Sequence, residues 1–184
     1  MAQDAIAVEE LVYSYGELVA VDHISFMVAE GEILGFLGPN GAGKTTTVKM
    51  LTGQLKPKGG KAHVLGMDVA RDAGKVRGEI GVCFEQTNLY EQMSALENLE
   101  LFARLFGISG FDGMALLKRV GLGGREKDRV EGYSKGMKQR LMVARSLVNR
   151  PRILFLDEPT AGLDPTSAEA ICSIILEERA RGAT

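Results

Sequence analysis

The stretch that decides the fold reads Gly38-Pro39-Asn40-Gly41-Ala42-Gly43-Lys44-Thr45. Its spacing fits the phosphate-binding loop pattern G-x-x-x-x-G-K-[S/T]. The apolar residues 33–37 precede it and predict a buried strand, and residues 46–51 continue it with a helical pattern. A strand, a glycine-rich loop and a helix in this order form the setting in which such a loop holds phosphate groups.

The residue types of this loop suit the binding of a nucleotide. Glycines allow backbone conformations that other residues avoid, so successive N–H groups can face an anion, and the following helix adds the positive end of its dipole. Lys44 can reach the β- and γ-phosphates, and the Thr45 hydroxyl can ligate Mg²⁺. The alternative is a glycine-rich turn with a chance lysine. The expected nucleotide-binding residues of the loop are Gly38, Pro39, Asn40, Gly41, Ala42, Gly43, Lys44, Thr45 and Thr46.

The composition is that of an ordinary globular domain. Of the 184 residues, 45% are hydrophobic and 25% are charged. The formal net charge of -2 gives no reason to expect nucleic-acid binding. No apolar run approaches the ~20 residues that span a bilayer, and residues 1–4 lack the basic start and apolar core of a signal peptide. Cys83 and Cys172 lie far apart in apolar surroundings, which predicts two buried free thiols.

Hydrophobic patterns along the chain predict an α/β fold. The predicted strands are residues 6–11, 21–28, 33–37, 62–67, 80–84 and 152–158. Residues 88–150 are predicted to be mostly helical, and Ser94 and Glu97 form a capping box that begins the first helix of this stretch. Asp164 caps a last helix that has Pro165 at its first position.

These elements define the expected architecture. We expect a P-loop NTPase core with a mostly parallel sheet and an N-terminal antiparallel β subdomain, formed by residues 1–87 and 151–184. Residues 88–150 then form an inserted helical subdomain. Together the two parts make a single domain over residues 1–184.

Two acids end the predicted strand 152–158. Asp157 follows four apolar residues, as does the acid of the second nucleotide motif that helps to hold Mg²⁺. Glu158 can orient and deprotonate the water that attacks the γ-phosphate, so it is the expected catalytic residue. Ligands of α/β sheets lie at the carboxyl ends of parallel strands, where both acids are placed. The alternative is a strand end with solvated acids.

The motifs together indicate a family. The chain resembles the ATP-binding subunits of ABC transporters over nearly its whole length. The resemblance rests on the phosphate loop, on Gln86 after a strand, on residues 133–140 (Y-S-K-G-M-K-Q-R) and on residues 154–164 (L-F-L-D-E-P-T-A-G-L-D). A phosphate loop alone would also allow kinases, GTPases and helicases, whereas residues 133–140 together with the acid pair point to ABC proteins.

The resemblance implies a role for each matching residue. Tyr15 matches the aromatic residue that stacks on adenine; the alternative is a tyrosine of the core or of a turn. Gln86 matches the glutamine that touches Mg²⁺ and the attacking water and links the site to the membrane partner. Ser134 and Gly136 match the signature loop, which meets the γ-phosphate bound to a second subunit. Asp164 matches an aspartate that communicates across the dimer, although its position as a helix cap explains it equally well.

The chain departs from the family pattern in two places. The common signature reads L-S-G-G-Q, whereas residues 133–137 read Y-S-K-G-M, a form that resembles exporters of drugs, lipids, polysaccharides or sodium. The family also has a switch histidine after the last helix. The two histidines here, His23 and His63, precede Asp157 and are best interpreted as polar strand residues.

The resemblance implies an ATPase that drives export through a transmembrane permease on another chain. It implies ATP and Mg²⁺ as cofactors, a head-to-tail dimer with a second ATP-binding subunit, and a cytoplasmic location, peripheral on the cytoplasmic face of the cell membrane. One alternative is a soluble ABC-type ATPase in repair or translation. Another is a truncated or vestigial nucleotide-binding protein with little hydrolysis.

The C-terminal residues carry a further expectation. Only Ala183 and Thr184 follow the predicted helix stop at Gly182, which is too short for another strand. We therefore expect a domain without its C-terminal end, with an exposed sheet edge or apolar patch and low thermal stability.

Overall fold

The computed structural model describes residues 4–184; residues 1–3, part of the stretch without signal-peptide character, lie outside the described residues. The described chain divides into two compact units. The first comprises the residues up to Ile80 together with Gly182–Thr184, and the second comprises Gly81–Arg181. Within residues 4–184, every helix is too short or too polar to cross a membrane.

The first unit contains an antiparallel sheet. Its strands are β1 Asp4–Tyr15, β2 Leu18–Ala29, β3 Gly59–Val64 and β4 Met67–Asp68, in the order β2-β1-β3-β4. Ala7 of β1 lies opposite Met27 of β2 on one side and His63 of β3 on the other. The expected N-terminal antiparallel sheet is confirmed, and both histidines lie on strands as expected.

The strand bounds differ from the sequence prediction. β1 does not end at Leu11, because β2 pairs with it as far as Tyr15 opposite Leu18. Conversely, the strand expected over residues 62–67 is interrupted by a turn at Leu65 and Gly66, which joins β3 to β4. In both cases pairing with a neighbouring strand decides the bounds, and one strand's own pattern does not contain that information.

The buried strand predicted over residues 33–37 is wrong. Residues 33–40 have no regular secondary structure, and Ile33, Leu34, Phe36 and Leu37 are exposed, Leu37 by 94%. An apolar run becomes a strand only when another strand accepts its backbone hydrogen bonds, and none of the strands within residues 4–184 pairs with it.

Two helices complete the first unit. α1 spans Lys44–Leu51 and follows the phosphate-loop motif directly, as predicted. The helix ends at residues 52 and 53. The N–H of Thr52 donates a hydrogen bond to the carbonyl of Val48, and the N–H of Gly53 donates one to the carbonyl of Met50. α2, Ala73–Glu79, was not predicted from the sequence; its run A-G-K-V-R-G-E has one buried apolar residue, Val76, and no helical periodicity.

The second unit places helices around a short parallel pair of strands. The strands are β5 Ile80–Cys83 and β6 Ile153–Leu156, and the helices are α3 Ala95–Leu105, α4 Gly113–Arg119, α5 Lys135–Ser146 and α6 Pro165–Ala180, with a 3₁₀ turn at Val130–Gly132. The capping box of Ser94 and Glu97 and the Asp164 cap are both present as predicted. The α/β P-loop architecture with a helix-rich middle is thereby confirmed.

Both thiols are free, as expected, but only one of them is buried. Cys83 at the end of β5 has no exposed surface, and burial raises its thiol pKa from 9.0 to about 11, against the opposing influence of the nearby Arg145. Cys172 is exposed, so its predicted burial is wrong. It lies beside the buried Ile171 on α6, where adjacent residues point to different faces of the helix.

Candidate functional site

The phosphate-loop motif curls around its own lysine. The Nζ atom of Lys44, at the start of α1, donates to the carbonyl oxygens of Gly38 at 2.6 Å and of Pro39 at 3.0 Å. The ammonium group therefore lies within the turn of the loop and holds its first two residues near the helix. A lysine placed in this way can exchange carbonyl partners for phosphate oxygens.

Two glycines of the loop have left-handed backbone conformations. Gly41 has φ +82° and Gly43 has φ +84°, values that are costly for other residues. Gly43 also lies against strand β2: a Cβ at this position would overlap the carbonyl oxygen of Ala20 and lie 3.1 Å from Cγ2 of Val21. Glycine at position 43 is therefore required both by its conformation and by the close approach of two backbones.

The start of α1 fits an anion. Its first turn contains no acidic residue, and Gly43 provides no side-chain cap. The hydroxyl of Thr47 is turned back onto the carbonyl of Gly43 at 3.0 Å, which stiffens the junction of loop and helix. The first turn of a helix and its dipole favour negative charge, and the Lys44 ammonium lies in the same loop, which together suit phosphate.

Tyr15 lies in the same unit, at the end of β1, and its side chain is about half exposed. Its ring packs edge-on against Tyr13, with ring centroids 5.0 Å apart. The Nζ atom of Lys58 lies 5.5 Å from the Tyr13 ring and donates to Ser14 at 3.2 Å. Sequence analysis singled out Tyr15 and missed Tyr13; the two-residue spacing on a strand was the available signal, since it places both rings on one face.

The acid pair lies in the second unit, directly after β6. The N–H of Asp157 donates to the carbonyl of Cys83 at 2.8 Å, so it extends the pairing of β6 with β5. Glu158 is exposed and has φ +49°, a left-handed conformation that is costly for a residue with a side chain and is further disfavoured before proline. Such strain collects at functional sites, and no local sequence pattern predicts it here, because the following proline disfavours the conformation.

Gln86 follows β5 in an exposed segment of the second unit. Because β5 and β6 are parallel and adjacent, Gln86 and Asp157 both follow the carboxyl ends of neighbouring strands. The structure thus brings these two predicted Mg²⁺ ligands to the same edge of the two-stranded sheet. Polar side chains at this edge are in the usual position for ligand binding in parallel sheets.

The Y-S-K-G-M segment begins α5 and packs against the start of α6. Ser134 caps α5 by accepting from the N–H of Met137 at 3.3 Å. Gly136 is buried, and a Cβ at this position would lie only 2.7 Å from Oγ of Ser167. Asp164 accepts from the N–H of Ser167 at 2.9 Å, and this hydrogen bond lowers the pKa of its carboxyl group. The signature-like residues and the segment after the acid pair therefore form one packed surface.

The predicted site residues divide between the two units. The phosphate loop and Tyr15 belong to the first unit, and Gln86, Ser134, Gly136, Asp157 and Glu158 belong to the second. Within residues 4–184, no group of three or more histidine, cysteine or acidic side chains is arranged to hold a metal ion. The predicted Mg²⁺ ligands instead consist of one carboxylate, one hydroxyl and one amide, the sparse set with which Mg²⁺ is held beside nucleotide phosphates.

Comparison with known families decides between the P-loop classes. Residues 21–161 match the model of the ABC transporter family, from strand β2 through the acid pair. The chain belongs to the ABC transporter family. A fluoroquinolones export ATP-binding protein of Mycobacterium tuberculosis is 45% identical over 183 residues, which cover 98% of this chain and 61% of that protein.

Other ABC proteins give the same assignment. A Nod factor export ATP-binding protein of Paraburkholderia xenovorans is 43% identical over 188 residues, covering all of this chain and 62% of that protein. Among solved structures, an ATP-binding subunit of an ABC transporter superposes with a TM-score of 0.88 at 31% identity and covers 97% of this chain and 76% of its own. A dimeric ATP-binding cassette bound to ADP and phosphate also gives a TM-score of 0.88, at 27% identity, with 97% and 85% covered. The chain spans about three fifths of the length of these two export proteins.

Proposed function

We propose that this chain binds and hydrolyses ATP and thereby drives export through a separate transmembrane permease subunit. The observation that carries the proposal is the phosphate loop, which curls around Lys44 with Gly43 packed against the backbone of Ala20. Export is supported by the similarity to fluoroquinolone and Nod factor export proteins, each more than 40% identical to this chain.

Each residue has a distinct task in this proposal. The loop N–H groups and Lys44 hold the phosphates, and Tyr15, which is about half exposed, would stack on adenine. Thr45, Gln86 and Asp157 would hold Mg²⁺, which when bound neutralises negative charge on the phosphate oxygens. Glu158 orients the attacking water and accepts its proton. An exposed carboxylate on a strained turn is accessible for this task.

The proposed partners are a second ATP-binding subunit and the permease. Ser134 and Gly136 would meet ATP bound to a second subunit, in a head-to-tail dimer in which each nucleotide contacts both chains. One of the structural neighbours is dimeric in its post-hydrolysis state with ADP and phosphate. The helices of residues 88–150 would form a helical subdomain that faces the permease, with the protein peripheral on the cytoplasmic face of the membrane.

Substitution of Glu158 by Gln tests the hydrolytic function. The amide keeps the size of the side chain but cannot accept the proton of water, so steady-state ATP turnover should fall about 100-fold or more while ATP still binds. Glu169→Gln makes the same chemical change at an exposed position of α6 and should leave turnover unchanged. Equal turnover in Glu158→Gln and the parent protein would remove Glu158 from the catalytic role.

A further inference from the structure

Helix α5 contains a buried arginine to which the proposed chemistry assigns no task. Arg145 is only 6% exposed, and no carboxylate within residues 4–184 is paired with it. Its Nη1 atom donates to the backbone carbonyl of Asn88 at 2.6 Å, and Nη2 donates to the side-chain oxygen of the same residue. Its guanidinium lies 4.6 Å from the ring centroid of Phe102 on α3. Burial lowers the pKa of Arg145. Burying a charged group is costly, so an explanation is needed for a buried guanidinium whose hydrogen bonds go to a single exposed asparagine.

A second buried polar side chain holds the neighbouring backbone. Asn98 of α3 has no exposed surface. Its Oδ1 atom accepts from the N–H of Tyr90 at 2.9 Å, and its Nδ2 atom donates to the carbonyls of Tyr90 at 3.0 Å and Ser94 at 2.9 Å. Residues 88–90 are therefore fixed from two sides, by Arg145 of α5 and by Asn98 of α3.

The other end of the same segment is fixed at Cys83. The carbonyl of Cys83 accepts from the N–H of Asp157 at 2.8 Å, and its sulfur lies 3.7 Å from Nε2 of Gln139 on α5. Four residues, 84–87, span the gap between these fixed ends, and Gln86 is among them. Residues 85–87 are exposed. Helix α5 thus contacts both ends of the segment that contains Gln86.

We propose that Arg145 is a positioning residue that ties the Gln86 segment to helix α5, whose first turn begins at Ser134. A displacement of the start of α5 is then transmitted to Gln86 through the bidentate contact with Asn88, about three helical turns along the same rigid element. The planar guanidinium can hold the carbonyl and the side-chain oxygen of Asn88 together, and a lysine ammonium lacks this fork geometry. The catalytic consequence rests on the proposed ATPase function, whereas the tether itself does not.

A nitroxide spin label on the segment tests the tether without ATP. The label is attached at Thr87→Cys in a Cys172→Ser background, because Cys172 is exposed and the remaining Cys83 is buried. Arg145→Lys should increase the mobility of the label, and Asn88→Ala, at an exposed position, should do so to a smaller extent. Phe102→Leu is the matched control: it removes the ring beside the guanidinium but leaves both contacts to Asn88, so mobility should not change. Unchanged mobility in both Arg145→Lys and Asn88→Ala would overturn the tether.

Turnover separates positioning from a merely structural role. Arg145→Lys should lower kcat about tenfold and leave the affinity for ATP unchanged. Displacing a catalytic group slows the chemical step but does not remove the contacts that bind ATP. Phe102→Leu should lower the melting temperature but leave kcat unchanged. If Arg145→Lys lowers only the melting temperature, with label mobility and kcat both unchanged, Arg145 is structural and the proposal fails. If mobility rises but even the parent protein lacks turnover, the tether stands and the proposed ATPase function fails.

Discussion

Lys44 is the residue on which nucleotide affinity should depend most. Lys44→Ala removes the positive charge from within the loop and also the contacts to the carbonyls of Gly38 and Pro39. Charge-assisted hydrogen bonds contribute about 1.5 to 3 kcal/mol, so ATP affinity should fall at least about tenfold in a fluorescence titration. Lys49→Ala, five residues further along α1, loses a lysine away from the loop and should bind ATP as the parent does. Unchanged affinity in Lys44→Ala would contradict the assignment of the loop.

Cys83 should make stability depend on pH in the alkaline range. Its pKa is raised from 9.0 to about 11 in the folded protein, so the folded state keeps a proton that the unfolded state loses between these values. The free energy of unfolding should therefore be unaffected by this thiol below pH 9 and fall by about 2 kcal/mol as pH approaches 11. Urea titrations of the parent and of Cys83→Ala isolate this effect. The difference in stability between them should shrink as pH rises; a constant difference would show that the thiol does not titrate in this way.

The places of single residues in the secondary structure were predicted where the sequence signal is local. Motif spacing predicted Lys44 at the start of a helix and Asp157 and Glu158 at the carboxyl end of a strand. The structure has all three in these places. The left-handed backbone of Glu158 and the buried charge of Arg145 were not predicted. The environment of Arg145 depends on Asn88, a neighbour that is distant in sequence, and no local sequence pattern predicts the left-handed conformation of Glu158.

At the scale of an element, two glycines of the phosphate loop offer a matched comparison. Gly43→Ala adds a Cβ that overlaps the carbonyl oxygen of Ala20, whereas Gly41→Ala meets nothing within 4 Å, although both have φ above +80°. Gly41→Ala should cost only the strain of a left-handed alanine, about 1 kcal/mol. Gly43→Ala should cost that strain plus a backbone displacement, at least about 2 kcal/mol, and should weaken ATP binding. Denaturant unfolding measures both costs; equal values would mean that the loop shifts freely away from β2.

The starts of two helices were predicted correctly, whereas the strand expected over residues 33–37 was wrong. Ser94 with Glu97 and Asp164 each cap a helix through atoms within three residues, so the sequence contains the whole interaction. A strand obtains its hydrogen bonds from another part of the chain. Residues 33–37 have the composition of a buried strand, yet they are unpaired in secondary structure and exposed. Local patterns therefore predicted helices more accurately than strands.

For the whole molecule, the proposed ATP-dependent dimer is the feature to test. The Glu158→Gln variant should form a stable dimer in the presence of Mg-ATP, because each bound ATP would contact both subunits and would not be hydrolysed. X-ray scattering should give about twice the monomer mass, and the double variant Lys44→Ala, Glu158→Gln should remain monomeric. A monomer of Glu158→Gln at saturating Mg-ATP would contradict the head-to-tail arrangement.

Because Cys172 is exposed and Cys83 is buried, the rate of thiol alkylation can report how often the second unit opens. A maleimide reagent should alkylate Cys172 at once in the folded state, while Cys83 reacts only when β5 separates from β6 and from Gln139. The slow phase of modification, followed by mass spectrometry, then measures the free energy of opening of the second unit under native conditions. Nucleotide that binds only the folded state should lengthen that phase by the factor 1 + [L]/Kd, where [L] is the free nucleotide concentration.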